Sequence, residues 1–469
     1  MTSAEHRFPV DMSRIALVAP TARLRPMLVA VARAGTVQLV GPLPPPQGRA
    51  VEALRRLERT RPGGAREAPL LSAEEPDVER LEREGRLDLL AGEVDMRRRA
   101  EAAARRDGFS VLVGWAPSAE VEALGERLAG VGAAAVVLPR PRHVEPPTLL
   151  RPREVVARFR PLVSTYGATR YADIDPTPFA AASFVLMFGM MFGDVGHGLL
   201  LVALGLLLRR SRARRLQGLR PLWPFAVAGG AAAAIFGLLY GEAFGPTGLV
   251  PALWMEPLDD PVRLLAVAVG VGALLLAVSY GIGVRNRWRE SGARVALLAP
   301  SGVAGLALFA GGGVLALGLY AGLGWVTVLG AVLGAAGLAL LFAGFVAEAG
   351  LSGAGGAQAV VEVLDAVVRV GANVVSFARL AAFGLMHAAL GSVVLDGSRF
   401  LWHRGAMAAI AGAALFAVGN ALAFALEALV AGVQAMRLEY YELFSRVFAG
   451  EGEPFAPWRL PVEDRGRPA

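Results

Sequence analysis

The sequence predicts an α-helical polytopic membrane domain of about eight helices, the last two long and tilted. A small N-terminal α/β cytoplasmic lobe with a helical hairpin arm is expected to precede it. Three observations carry that expectation. Of the 469 residues 55% are hydrophobic, with a mean hydropathy of +0.49, and the long apolar runs crowd after Pro178. Before Pro152 the chain instead alternates short β-branched runs with amphipathic and charged segments. Finally, two of the longest apolar segments, 358–395 and 406–449, contain ionised residues, which membrane-spanning helices otherwise exclude.

In chain order, Ser13–Ala19 reads as a strand, Thr21–Ala34 as an amphipathic helix and Val37–Val40 as a second strand, a βαβ-like start. The run Pro42–Pro46 breaks the pattern. Arg49–Arg59 and Glu74–Arg106, rich in Arg, Glu, Ala and Leu, read as a charged hairpin (about 48–107) turned at Pro62-Gly63-Gly64. A solvated arm with no site of its own suits that composition. Phe109–Gly114 gives a return strand, Ala119–Ala129 a helix and Ala134–Leu138 a last strand, so that strands on both sides of the hairpin share one sheet. Residues 1–152 thus form the lobe. A proline-rich linker opens at Pro139, and 153–178 lead into the membrane. The membrane domain is 179–449 and the C-terminal tail 450–469.

The count of crossings turns on Phe179–Leu208, which is one long span or a hairpin folded at Gly193-Asp194. Arginines at 209, 210, 212, 214, 215 and 220 follow it, and arginines at 285, 287, 289 and 294 follow Val262–Val284. The opening MTSAEHRFPVDMSRIALVAP lacks the pattern of a secretory leader, so the lobe is expected in the cytoplasm. Only the hairpin then puts both arginine clusters inside. Eight crossings follow: two short legs, then 222–244, 262–284, 295–319, 325–346 and the two long terminal segments, with both termini cytoplasmic. The Gly- and Ala-rich stretch 301–338 suits close helix packing.

All 47 basic residues are Arg, and a pI near 10.4 reflects that habit rather than a nucleic-acid partner. With no Lys, a GxxxxGK[ST] phosphate loop is impossible, and with no Cys neither a disulfide nor a thiolate metal site can form. No cofactor or metal ligand set is expected.

Arg379 lies in NVVSFARLAAFGLMHAALG, and Glu427 and Arg437 lie in AFALEALVAGVQAMRLEYYELF. An ionised side chain at mid-bilayer costs roughly 2.5–3.5 kcal/mol, which makes each a functional candidate. The plain alternative is a structural Arg379–Glu427 pair. At ~1.5 Å per residue His387 stands ~12 Å along its helix from Arg379, and Glu427 ~15 Å along its own from Arg437. A short turn around Gly397 makes the helices antiparallel. Setting both arginines at one depth then brings His387 and Glu427 to a second common depth, as in an ion route that stops at a fixed charge.

This pair of segments resembles the last two helices of the membrane stator subunit of V/A-type rotary ATPases, called subunit a or, in bacteria, subunit I. A second stretch, YADIDPTPFAAASFVLMFGMMFGDVGHG, is similar to a hallmark of the same family, and VLVGWAPSAEVEAL more loosely so. The resemblance implies a non-catalytic subunit that forms half-channels, expected to carry protons, against a rotating proteolipid ring. Arg379 and Arg437 match the family's two arginines, and His387 and Glu427 its outer polar residues. Asp365 stands where the family often has glutamate on the inner side, and Glu348 joins it as an inner candidate. Asp194 and His197, in the hallmark's turn, are secondary candidates, since a lone aspartate there more commonly caps a helix. The implied partners are the proteolipid c/K ring, peripheral-stalk subunits, the catalytic ATPase sector, central rotor subunits and the lipids of a bacterial-type plasma membrane. A secondary transporter binding an anion at its arginines would predict internal repeats, and none is evident. A membrane-anchored interaction protein would make the charged pairs structural.

Overall fold

The computed structural model describes residues 9–60, 68–141, 144–151, 154–350, 352–448 and 452–463. The expected turn at Pro62-Gly63-Gly64 lies outside them. The chain forms two compact units. One comprises residues 9–151, 169–171 and the C-terminal stretch from 452, and the other 154–168 and 172–448.

In the first unit, β1 (Met12–Pro20), α1 (Leu24–Ala34) and β2 (Gln38–Leu39) open the fold. An arm follows, of α2 (Arg49–Thr60), β3 (Leu71–Ser72), α3 (Val78–Glu84) and α4 (Leu87–Glu101). The chain returns through β4 (Ala104–Arg106), β5 (Phe109–Pro117), α5 (Val121–Ala129) and β6 (Ala134–Leu138), and β7 (Val462–Glu463) comes from the C-terminal stretch. The sheet order is β2-β5-β1-β6, with β5 antiparallel to both β1 and β2. β1 and β2 are therefore parallel, with β5 inserted between them: a split βαβ unit of ferredoxin-like topology. Strands from both sides of the arm do share one sheet. The core comes from the inward face of β1 (Ile15, Leu17) and the apolar stripe of α1 (Met27, Leu28, Val31), all fully buried.

The arm departs from a simple hairpin. Gly85, at φ 70°, closes α3 in the left-handed conformation that favours glycine, so 74–106 is two helices and a strand rather than one helix. Asp77 caps α3 by accepting the N–H groups of Glu79 (3.0 Å) and Arg80 (3.3 Å). The Arg86 guanidinium holds the Asp88 carboxyl below the usual carboxylate range. Nor does the C-terminal stretch stand alone as a tail. Trp458 is buried in the core, donates to Asp95 Oδ2 at 2.6 Å and lies under the Arg99 guanidinium, while β7 pairs in parallel with β3.

The second unit is all helical. After α6 (Glu154–Ala157) and α7 (Arg160–Tyr166) come α8 (Thr177–Met191), α9 (Val195–Arg210), α10 (Trp223–Tyr240) and α11 (Pro261–Ser291). Next are α12 (Ala293–Leu298), α13 (Val303–Ala321), α14 (Gly324–Ala349), α15 (Gly353–Ser376), α16 (Ala378–Trp402) and α17 (Ala406–Leu438). A π-helical turn, Glu439–Leu443, leads from α17 to α18 (Phe444–Val447). Among the described residues six helical stretches are long and apolar enough to cross a membrane, and α8 is a shorter apolar helix. The chain is an integral membrane protein by this measure.

The chain reverses at Gly193-Asp194. Phe184 and Gly193 meet Phe225 and Tyr240, so α8 runs parallel to α10, whereas Gly198 and Gly205 meet Ala234 and Val227, so α9 runs antiparallel to it. Close approach requires the glycines. A Cβ on Gly237 would lie 2.3 Å from the Val195 nitrogen, and one on Gly311 would lie 2.3 Å from that of Gly334 in the α13–α14 pair.

The long terminal pair corrects two expectations. The segment 358–395 is not one uninterrupted helix: α15 and α16 meet at a break on Phe377. Nor does the turn fall at Gly397, which lies inside α16 opposite Leu415. A single glycine costs a helix only about 1 kcal/mol, and the chain turns instead at His403–Gly405, where Gly405 takes φ 107°.

Candidate functional site

The break at Phe377 makes the first half of the site. Leu380 N–H bonds Phe377 O (2.9 Å) rather than Ser376 O, which frees the Ser376 carbonyl. Arg379 Nε fills that vacancy at 3.1 Å, and its Nη2 donates to Ser376 Oγ. The buried ring of Phe377 sits where α11 carries Gly272, whose missing Cβ would lie 2.1 Å from the ring's Cγ.

The counter-charge comes from the π-helical turn. Glu442 Oε1 accepts from Arg379 Nη2 at 2.6 Å and is also hydrogen-bonded by Ser376 Oγ. Glu442 is buried and the Arg379 side chain is 26% exposed, so the guanidinium is held from one side and open on another. A π-turn inserts an extra residue, a distortion common at functional sites. Here it also carries Glu439, fully buried, which accepts from Ser183 Oγ of α8 at 2.6 Å.

The second half is a buried cluster. His387 Nδ1 of α16 is hydrogen-bonded to Glu427 Oε2 of α17. The opposite ring nitrogen, Nε2, lies 3.8 Å from Asp194 Oδ2 and 3.7 Å from Glu242 Oε2. Asp194 caps α9 through His197 N–H (2.8 Å) and pins the loop after α10 through Gly245 N–H (2.8 Å). It is thus a cap and a member of the cluster at once. His197 lies among Phe192, Phe244 and Phe424, its ring 5.6 Å from that of His387, and its two ring nitrogens are buried, with Nδ1 3.9 Å from Asp194 Oδ1.

The structure therefore brings His387, Glu427, Asp194 and His197 together. It does not bring Arg379 to Glu427; the structural pair of Arg379 is Glu442. Arg437 is exposed, with no hydrogen bond or ion pair among the described residues. Asp365 is exposed on α15 and paired with Arg369 one turn on. Glu348 is exposed and lines two clefts, about 290 Å³ beside Arg294 and about 230 Å³ beside Glu362.

Sequence reasoning missed Glu442, Glu439, Glu242, Ser376 and Ser183. The two glutamates of EYYELF were open to the intramembrane-charge rule already applied to Arg437 two residues earlier. Glu242 looked like a loop acid just past an apolar helix. Only the folding back of the glycine-rich turn at 241–245 makes it a cluster member.

Residues 103–219 match the model of the V-type ATPase 116kDa subunit family. Over 402 residues the chain is 30% identical to the A-type ATP synthase subunit I of Archaeoglobus fulgidus, covering 74% of this chain and 58% of that one. It is 29% identical over 381 residues to the A-type ATP synthase subunit I of Halobacterium salinarum, covering 67% and 51%. Against the human V-type proton ATPase 116 kDa subunit a 3 it is 34% identical over 143 residues, 28% of this chain and 17% of that one. The chain spans little more than half the length of the archaeal relatives it matches. The resemblance read from the two motifs is borne out by the match of residues 103–219 to that family model and by the similarity to the archaeal subunits.

Proposed function

We propose that this chain is the membrane stator subunit of a rotary ATPase or ATP synthase, carrying protons past a fixed arginine on their way to and from a rotating proteolipid ring. The observation that carries this reading is the pairing of Arg379 with Glu442 and Ser376 at the α15–α16 break. The guanidinium is fixed in direction yet partly exposed, which suits a charge that a passing carboxylate must meet.

A nearby cation favours the ionised form of a carboxylate, and arginine keeps its proton throughout. Arg379 would therefore hold the arriving ring carboxylate charged and block a direct leak between two half-routes. The His387–Glu427–Asp194–Glu242 cluster, eight residues along α16 or ~12 Å away, offers the proton-exchanging groups of the outer half-route. The inner half-route falls to Asp365 and Glu348, joined by the buried Glu439. Arg437, exposed one helical turn or so before Glu442, reinforces the field. The arm of the first unit would meet peripheral-stalk subunits, and separate catalytic subunits would turn over ATP, because this chain has no lysine for a phosphate loop.

The test is ion pumping into vesicles, normalised to assembled complex. Arg379→Lys and Arg379→Gln should both assemble and both lose ATP-driven pumping, since a flexible ammonium cannot reproduce the planar fork at Ser376 and Glu442. Near-normal pumping by an assembled Arg379→Gln complex would end the stator reading and leave Arg379 a structural partner of Glu442.

A further inference from the structure

We infer that the guanidiniums of Arg158 and Arg209, gathered over the indole of Trp223, bind the headgroup phosphate of an anionic phospholipid. Convergence is the first argument. The Arg158 guanidinium carbon lies 4.8 Å from the Trp223 ring centroid, and that of Arg209 lies 4.9 Å from it. The two cations come from separate elements, the turn between α6 and α7 and the last turn of α9. One ring at the start of α10 orients both. An arginine stacked on an aromatic keeps its in-plane N–H donors free, and that planar fork matches a phosphate.

The scaffold is the second argument. Phe159 is buried and meets Phe225 edge-on with ring centroids 4.8 Å apart, which fixes the backbone beside Arg158 against α10. Gly205 packs on Val227, where an added Cβ would lie 2.8 Å from Cγ2, and this fixes α9 one turn before Arg209. The backbone that bears both arginines is therefore set before any ligand arrives. Only side-chain freedom remains to be lost on binding.

Charge and hydropathy name the occupant. Residues 195–241 contain six arginines and no aspartate or glutamate, and none of the six makes an ion pair among the described residues. Leu200, Leu204 and Leu207 are exposed at i, i+4 and i+7, an apolar stripe along α9 that leads up to Arg209. Leu219 and Leu222 are exposed on the approach to Trp223. A free phosphate would leave these leucines uncovered, whereas a phospholipid lays an acyl chain on them while its headgroup meets the arginines. Interfacial Trp marks the headgroup level, and basic pockets between membrane helices take anionic headgroups.

The site shares no residue with the ion route, and its test needs no pumping. The full chain is purified in detergent and exchanged into mixed micelles of phosphatidylglycerol and phosphatidylcholine in equal amounts. The lipid it retains is then counted by native mass spectrometry. Phosphatidylglycerol should be retained over phosphatidylcholine by roughly tenfold. Arg158→Gln combined with Arg209→Gln should abolish that preference. Arg212→Gln combined with Arg214→Gln, which removes the same charge from the same surface away from the indole, should keep it. Excess inorganic phosphate should displace no more lipid than chloride at equal ionic strength. Equal retention of the two lipids by the wild-type chain overturns the proposal. An equal loss in both double variants overturns it too, because the arginines then act only as a diffuse positive surface. Selective displacement by phosphate overturns the lipid as occupant.

Discussion

At the scale of the residue, what distinguishes this chain is which carboxylate meets which cation. Arg379 has a partner, Glu442, that the sequence leaves unmarked, while Glu427 belongs to His387. Truncating one member of a buried pair is costly because the other is left uncompensated, by about 3–5 kcal/mol when burial is complete. Arg379 is a quarter exposed, so water recovers part of that. Glu442→Gln should therefore leave the complex assembled, with the guanidinium less firmly directed. A pumping loss of roughly tenfold is expected, the equivalent of about 1.4 kcal/mol. Full pumping by Glu442→Gln would mean that Ser376 alone suffices to aim Arg379.

At the scale of the element, the distortions do the positioning. The break at Phe377 frees the carbonyl that Arg379 uses, and the π-turn brings Glu442 to meet it. The break is locked by a notch in a neighbouring helix, since Gly272 leaves the space that the Phe377 ring fills. A methyl there would fall 2.1 Å from Cγ and 2.4 Å from Cβ of Phe377, and overpacking of that kind commonly costs about 1–3 kcal/mol. Gly272→Ala is accordingly expected to lower both the thermal stability of the purified chain and the pumping per assembled complex. Gly270→Ala, whose Cβ meets nothing within 4 Å, should change neither. If the two variants behaved alike, the notch would have no part in setting Arg379.

At the scale of the whole molecule, the first unit contains both the N-terminal lobe and the C-terminal stretch, joined through Trp458 and the β3–β7 pair. A chain that leaves a compact unit, crosses a membrane and returns to the same unit crosses it an even number of times. This argues against a count of seven and for the reversal at Gly193-Asp194. Because the chain has no cysteine, single-cysteine labelling reads the topology cleanly. Cysteines at the exposed positions Arg106 and Arg214 should react with an impermeant reagent from one side of the membrane, and at Glu256 from the other. Opposite sides for 106 and 214 would return α8 and α9 to a single span.

The sequence by itself determined the class of the molecule. Apolar run lengths gave the membrane helices, alternation gave the strands of the lobe, and two motifs with intramembrane charges carried the family resemblance. His387 and Glu427 were legible as a level pair because helical rise and a short antiparallel connection fix their relative depth. The limits were equally physical. Periodicity is blind to a one-residue helix break or an inserted residue, so the Phe377 kink and the π-turn were out of reach, and with them the partner of Arg379. Gly397 misled because it lies inside α16, with Leu415 packed across it, and the chain turns at Gly405. Only the tertiary structure decided that Asp194, His197 and Glu242, on two sides of α10, close around His387. Those approaches depend on missing Cβ atoms at Gly237 and along α9, between residues more than 20 positions apart.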